Sequence, residues 1–171
     1  MIKIGILGAI GSGKTFVANQ FGYPVFNADI EVSKIYKNNK SCFKILKKMK
    51  ASKITLTNRT KAKAIKTKDL FKDIEIVDWG ERIDFDMIIN ATSIGLKKED
   101  GLNFDYSANG PDKYFYDVIY NPKETLFLKR AKLFGNKTEN GKMMFIYQAH
   151  QSFTIWNKVM PKIDDETIKL I

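Results

Sequence analysis

Short apolar runs alternate along this chain with longer stretches whose apolar residues recur at three- or four-residue intervals. The short runs are Ile2–Leu7, Pro24–Phe26, Lys53–Thr57, Ile74–Val77, Asp86–Asn90 and Phe115–Tyr120. Their length and their β-branched and aromatic content predict strands. The longer stretches, Lys14–Phe21, Ile30–Lys50, Lys61–Lys68, Lys123–Phe134, Lys142–Lys158 and Asp165–Leu170, predict helices. Strands alternating with amphipathic helices imply an α/β layer fold with a mostly parallel sheet and flanking helices. Lys97–Asp112 and Gly135–Gly141 are expected to be loops, because glycine and proline punctuate them or bound them. There is no internal repeat and no low-complexity linker. The one compositional seam lies near Lys48–Lys53, without a Pro/Gly/Ser hinge.

Composition narrows the class. The 171 residues are 44% hydrophobic, enough for the core of one ordinary domain or two very small ones. No apolar run approaches the length that spans a bilayer, and the first residues lack the layout of a signal peptide. Cys42 is the sole cysteine, so no intramolecular disulfide can form, and a cytoplasmic protein without a membrane partner is expected. The net charge of +10 is uneven: residues 1–50 hold nine Lys/Arg against two Asp/Glu. Most of that excess, from Lys34 to Lys50, lies on one predicted helix. A basic face suits nucleic acid or anionic lipid, but no recognition motif accompanies it. A solvated surface is the reading adopted, with no nucleic-acid partner expected.

Candidate chemistry begins at Gly8-Ala9-Ile10-Gly11-Ser12-Gly13-Lys14-Thr15, which matches G-x-x-x-x-G-K-[S/T] at every fixed position. The run follows a predicted strand and opens a predicted helix, so a P-loop strand-turn-helix is expected at the N-terminus. Backbone N–H groups around Gly8, Gly11, Ser12 and Gly13 would cradle phosphate at the helix start. Lys14 would reach the β- and γ-phosphates of ATP, and the Thr15 hydroxyl would ligate Mg²⁺.

Together with Phe21-Gly22-Tyr23-Pro24-Val25-Phe26-Asn27-Ala28-Asp29, this segment resembles the start of dephospho-coenzyme A kinase. The resemblance implies ATP with Mg²⁺ as cofactors and dephospho-CoA as substrate. It also implies that Asp29 acts as base or orienting group for the attacking hydroxyl. The alternative for Asp29 is a helix N-cap before Ile30. Asn27 departs from the family, which usually has another aspartate there, and the family's CoA-binding region and arginine-bearing lid have no match after Lys50.

Residues 51–171 resemble the C-terminal, NADP-binding region of shikimate dehydrogenase, and four motifs arrive in family order. They are Lys53-Ile54-Thr55-Leu56-Thr57-Asn58-Arg59-Thr60, Ile88-Ile89-Asn90-Ala91-Thr92-Ser93-Ile94-Gly95-Leu96, Tyr116-Asp117-Val118-Ile119-Tyr120-Asn121-Pro122 and Asn140-Gly141-Lys142-Met143-Met144-Phe145-Ile146-Tyr147-Gln148-Ala149. This resemblance implies a Rossmann-like sheet. A strand end carrying Asn58, Arg59 and Thr60, with Lys63 one turn later, offers a guanidinium, a hydroxyl and a second cation to a 2′-phosphate. That composition favours NADP over NAD. The alternative for Arg59 is an ordinary surface arginine. By family correspondence Thr92 turns close to the cofactor, Val118 and Gly141 border the nicotinamide, and Tyr120 and Gln148 touch shikimate. Gln148 has the alternative of a helix-surface amide. Phe153 and Trp156 are expected in the core, and His150 has no assigned role.

Two features of the dehydrogenase pattern have no counterpart in the sequence: the N-terminal substrate domain with its lysine–aspartate pair, and the glycine-rich turn that should precede Asn58. Pro24–Phe26, Asn27-Ala28-Asp29, the helix from Ile30 and Lys53–Thr57 make a βαβ-like unit of the right size to replace that turn. Asp29 would then stand where the pyrophosphate belongs. The chain therefore reads as two segments, a kinase-like 1–50 and a dehydrogenase-like 51–171. Three functional readings stand: a shikimate dehydrogenase-like protein inactive as a single chain, a kinase-like ATP-binding protein, or a non-catalytic fusion product. In the first two the partner is a small molecule. The oligomeric state is open.

Overall fold

The computed structural model describes residues 51–108 and 110–169, together with Gln20, which is helical. The remaining predicted elements before residue 51 lie outside the described residues. So do the P-loop residues Gly8, Gly11, Ser12, Gly13, Lys14 and Thr15, and Asp29. The chain divides into two compact units between Trp79 and Gly80, and each is described by itself.

The described part of the first unit, residues 51–79, is a single right-sized crossover. Strand β1 (Ile54–Leu56) runs parallel to β2 (Ile74–Ile76), with Ile54 opposite Ile74 and Leu56 opposite Ile76. Parallel neighbours need a connection long enough to reverse the chain twice. Helix α1 (Lys61–Leu70) supplies it. Its sequence is rich in alanine and lysine, both good helix formers. Ala64 is its buried contact residue, and the lysines stand in solvent.

The second unit holds a three-stranded parallel sheet in the order β3 (Met87–Asn90), β4 (Tyr114–Asp117), β5 (Lys137–Asn140). Helix α2 (Leu126–Leu133) crosses from β4 to β5, α3 (Lys142–Asn157) follows β5, and a short α4 (Asp165–Lys169) comes last. The β3-to-β4 connection has no helix among its described residues, yet it feeds the core. Leu102, Phe104 and Tyr106 from it pack with Phe85, Ile88, Phe115, Phe127, Leu128 and Ala131. Phe104 meets Tyr106 edge-on at 5.1 Å, and Phe115 meets Phe127 at 5.3 Å, geometries in which ring quadrupoles attract. Burial pushes the Tyr106 phenol up to about 12, against the opposing pull of the Arg130 guanidinium.

Four expectations need correction. The strand expected over Phe115–Tyr120 ends at Asp117, because the Asp117 carboxylate takes the Ile119 N–H at 3.0 Å and turns the chain out of the ladder. The expected loop Gly135–Gly141 contains β5, whose polar Lys-Thr-Glu-Asn sequence lacks an apolar signal. Its side chains still alternate between exposed and half-buried, and β4 supplies the ladder. The helix expected from Lys123 starts at Leu126, where the Thr125 hydroxyl accepts from Leu128 N as an N-cap. Phe153 and Trp156 are not core residues: they are 46% and 65% exposed, because α3 buries only Ile146 and its apolar residues lie all around its axis.

Candidate functional site

Four turns that follow parallel strands are built alike. Asn58 Oδ1 accepts from Thr60 N at 2.8 Å, Asn90 Oδ1 from Thr92 N at 3.1 Å, Asp117 Oδ1 from Ile119 N at 3.0 Å, and Asn140 Oδ1 from Lys142 N at 3.1 Å. Each is an Asx turn, in which a short polar side chain mimics the backbone and sets the exit direction of the chain. Every predicted dehydrogenase-like site residue except Gln148 lies within three residues of one of these turns or in the first turn of α1. Sequence reasoning did not single out Asn90, Asp117 and Asn140; the signal available was an Asn or Asp ending three successive strands.

In the first unit, Asn58, Arg59 and Thr60 join β1 to α1, with Thr60 as N-cap. The Thr60 side chain makes no capping bond, and α1 has no acidic residue in its first turn. Among the described residues no side chain caps the amides opening this helix, and helix starts of this kind attract phosphate. Arg59 and Lys63 are exposed and form no side-chain hydrogen bond or ion pair with the described residues. Lys61 is engaged differently: its Nζ lies 2.6 Å from Asp78 Oδ1, while Thr57 Oγ1 donates to Asp78 O at 3.2 Å. The structure thus brings the predicted phosphate-binding set to one turn and leaves its cations available.

In the second unit the last rung of the sheet is Asn90–Asp117–Asn140, directly opposite one another in register. Two rungs earlier, on the same face, stand Ile88, Phe115 and Thr138, so on β3 and β4 this face changes from apolar to polar at its carboxyl end. Asn90 and Asp117 are buried, the latter completely. Asn90 Nδ2 donates to Asp117 Oδ1 at 3.2 Å and to Ile94 O at 3.0 Å. Thr92 Oγ1 donates to Asn90 Oδ1 at 2.7 Å and accepts from Ile94 N at 3.1 Å. Thr125 Oγ1 donates to Asp117 Oδ2 at 2.6 Å. Gly95, at φ +113°, passes so near Thr125 that an added Cβ would meet its methyl at 3.2 Å.

Val118 and Gly141 meet at this edge. A Cβ on Gly141 would fall 2.0 Å from Val118 O, so only glycine fits there. Backbone bonds from Val118 N to Asn90 O (3.1 Å) and from Gly141 N to Ile119 O (3.2 Å) hold the three loop starts together. Tyr120 is partly exposed and stacks on Phe145 with ring centroids 4.4 Å apart. Gln148 lies one turn beyond Phe145 on α3 and is exposed, its side chain making no hydrogen bond with the described residues. The His150 Nε2 donates to Pro161 O at 2.8 Å. Among the described residues no cluster of His, Cys, Asp or Glu is arranged to hold a metal ion, and no helix is long and apolar enough to cross a membrane.

No protein-family model matches the chain. The shikimate dehydrogenase (NADP(+)) of Pelagibacter ubique is 62% identical over 126 residues, covering 74% of this chain and 48% of that protein. The solved shikimate dehydrogenase of Aquifex aeolicus superposes with a TM-score of 0.60 at 38% identity, over 69% of this chain and 43% of that one. A shikimate dehydrogenase solved in complex with NADP+ gives 0.58 at 32% identity, over 69% and 45%. These neighbours share the parallel α/β architecture described above, and nothing in the comparisons shows a kinase-like N-terminal region. The chain spans about half the length of the curated relatives it matches, and over its C-terminal part it is shikimate dehydrogenase-like.

Proposed function

We propose that residues 51–171 form the NADP-binding part of a shikimate dehydrogenase and that Arg59 selects the phosphorylated cofactor. The observation that carries this is the Arg59 guanidinium, exposed just past the carboxyl end of β1, unengaged among the described residues, and immediately before a helix start whose Thr60 makes no side-chain cap. A dianionic 2′-phosphate suits that setting, with Arg59 and Lys63 as cations and Asn58 and Thr60 shaping the turn. Thr92, Val118 and Gly141 would border the nicotinamide end. Tyr120 and Gln148 would face shikimate, the first held in place by its stack on Phe145. Bound NADP would supply the hydride acceptor or donor, and this chain's own contribution would be to bind and orient it.

Cofactor choice is the test. NADP⁺ should bind more tightly than NAD⁺ in calorimetric titration, and Arg59→Ala should lower NADP⁺ affinity by roughly 10- to 100-fold. That range corresponds to the ~1.5–3 kcal/mol of a hydrogen bond to a charged group. NAD⁺ affinity should hardly move. Equal binding of both cofactors by the unaltered chain would refute the proposal. Oxidation of shikimate by the 171-residue chain alone is not expected, because the proton-moving lysine–aspartate pair of the family has no match in it. Turnover lost on Gln148→Ala or Tyr120→Phe would overturn that part.

A second reading rests on the complete P-loop pattern from Gly8 to Thr15. It makes residues 1–50 an ATP–Mg²⁺ site with Lys14 on the phosphates, Thr15 on the metal and Asp29 toward an acceptor such as dephospho-CoA. Calorimetry with ATP–Mg²⁺ should then show binding that Lys14→Ala weakens. Identical titrations would dismiss it.

A further inference from the structure

We infer that Asp117 is a positioning residue for the cofactor, acting through Asn90 to fix which way the Thr92 hydroxyl points. The inference rests on the NADP reading for its ligand and on the buried hydrogen bonds for its mechanism. Asp117 Oδ1 accepts from Ile119 N and its Oδ2 from the Thr125 hydroxyl, so Asp117 meets Asn90 as an acceptor, and the Asn90 amide turns its Nδ2 toward Asp117 and its Oδ1 toward Thr92. Oδ1 then takes both the Thr92 N–H and the Thr92 O–H. Because Thr92 Oγ1 also accepts from Ile94 N, its single proton and one lone pair are spent inside the protein. One lone pair remains. Thr92 therefore meets a ligand as an acceptor, suited to a ribose hydroxyl or a carboxamide N–H and unsuited to a phosphate oxygen.

The same carboxylate controls two other segments. Its Oδ1 holds Ile119 N beside Val118, and its Oδ2 takes the Thr125 hydroxyl that caps α2. One buried group thus sets the loop after β3 and the loop after β4 together. Loss of this fully buried acceptor would leave Asn90 Nδ2 without its Asp117 partner and the amide free to turn over.

Three substitutions in the 171-residue chain separate positioning from stability. Asp117→Asn can place its Nδ2 toward Thr125, whose hydroxyl accepts as readily as it donates, and so keeps an acceptor for Asn90. Asp117→Ser keeps a local acceptor for Ile119 but cannot span to Asn90. Asp117→Leu removes both, and the serine variant decides if the leucine variant does not fold.

Two readouts apply to variants shown folded by circular dichroism at the assay temperature. Without ligand, amide hydrogen exchange at Thr92 and Ile94 should accelerate at least tenfold in the serine and leucine variants and stay near the original rate in the asparagine variant. With ligand, NADP⁺ affinity should fall about tenfold in the first two and recover in the third. The affinity for 2′,5′-ADP, which carries only the 2′-phosphate end, should be unchanged in all. Exchange rates and NADP⁺ affinity within twofold of the original in the serine variant would overturn the inference. So would an asparagine variant as damaged as the leucine one. If the unaltered chain fails to bind NADP⁺, the cofactor reading falls, and the ligand-free exchange at Thr92 and Ile94 alone decides whether Asp117 positions this loop.

Discussion

The two units carry their polar groups in opposite ways. Around β1 and α1 the charged residues lie in water: Arg59 and Lys63 stand unengaged among the described residues, and the Lys53–Glu75 and Lys61–Asp78 ion pairs join side chains that are each more than half exposed. At the carboxyl ends of β3, β4 and β5 the polar groups are buried, and almost every donor and acceptor has a partner inside the protein. Exposed charges in water contribute little to folding yet remain available to a ligand. Buried hydrogen bonds contribute to one defined backbone path, because breaking any of them strands its partner. On the proposed NADP reading, binding strength and loop geometry fall to different residues, and substitutions should separate them.

The sharpest break is Gly141→Ala. Its Cβ would enter the Val118 carbonyl, and backbone on both sides must yield, so a loss of about 3 kcal/mol or more is expected in urea unfolding. A loss below about 1 kcal/mol would show that the β4 and β5 exits are not held against each other. Thr125→Val comes next. It deletes a helix cap and the hydrogen bond to Asp117 together, and should cost about 1–3 kcal/mol.

Tyr106→Phe should change stability by no more than about 1 kcal/mol at pH 7. Among the described residues the buried Tyr106 hydroxyl makes no hydrogen bond of standard geometry, and Arg130 beside it is exposed and can turn to water, so its removal strands no buried partner. Its alkaline behaviour has a definite sign. The raised pKa means that the folded state prefers the neutral phenol. Its stabilising effect is complete below the ordinary tyrosine value of 10 and is lost as pH climbs toward about 12. The Phe variant should lose less stability than the unaltered chain over that window, and parallel melting curves from pH 9 to 12 would contradict this. Smallest of all, Lys61→Ala and Arg59→Ala should each move stability by roughly 0.5 kcal/mol or less, while Arg59→Ala alone weakens NADP⁺ binding. A large stability loss at Arg59 would erase the contrast between the units.

Local pattern made much of this legible in advance. Alanine- and lysine-rich α1 and the apolar runs of β1 to β4 declare their type within a few residues, since helix and strand periodicities are short-range properties. The ordered motifs from Asn58 to Gln148 likewise located the candidate site, because a turn needs particular residues at particular offsets. Lys-Thr-Glu-Asn offers no such signal. It became β5 only because Tyr114–Asp117 lay ready to pair with it.

Sequence by itself therefore determined the alternation of strand and helix, the basic turn at Arg59 and the place of Gly141 in the last motif. Tertiary structure decided why that glycine is needed: the Val118 carbonyl, 23 residues earlier in the chain, occupies the space a side chain would take. It also decided that Phe153 and Trp156 remain exposed and that Asp117, one polar residue among many, governs three segments at once. The physical reason is common to all three. Burial and close approach depend on residues distant in sequence, and no local periodicity encodes which of them will meet.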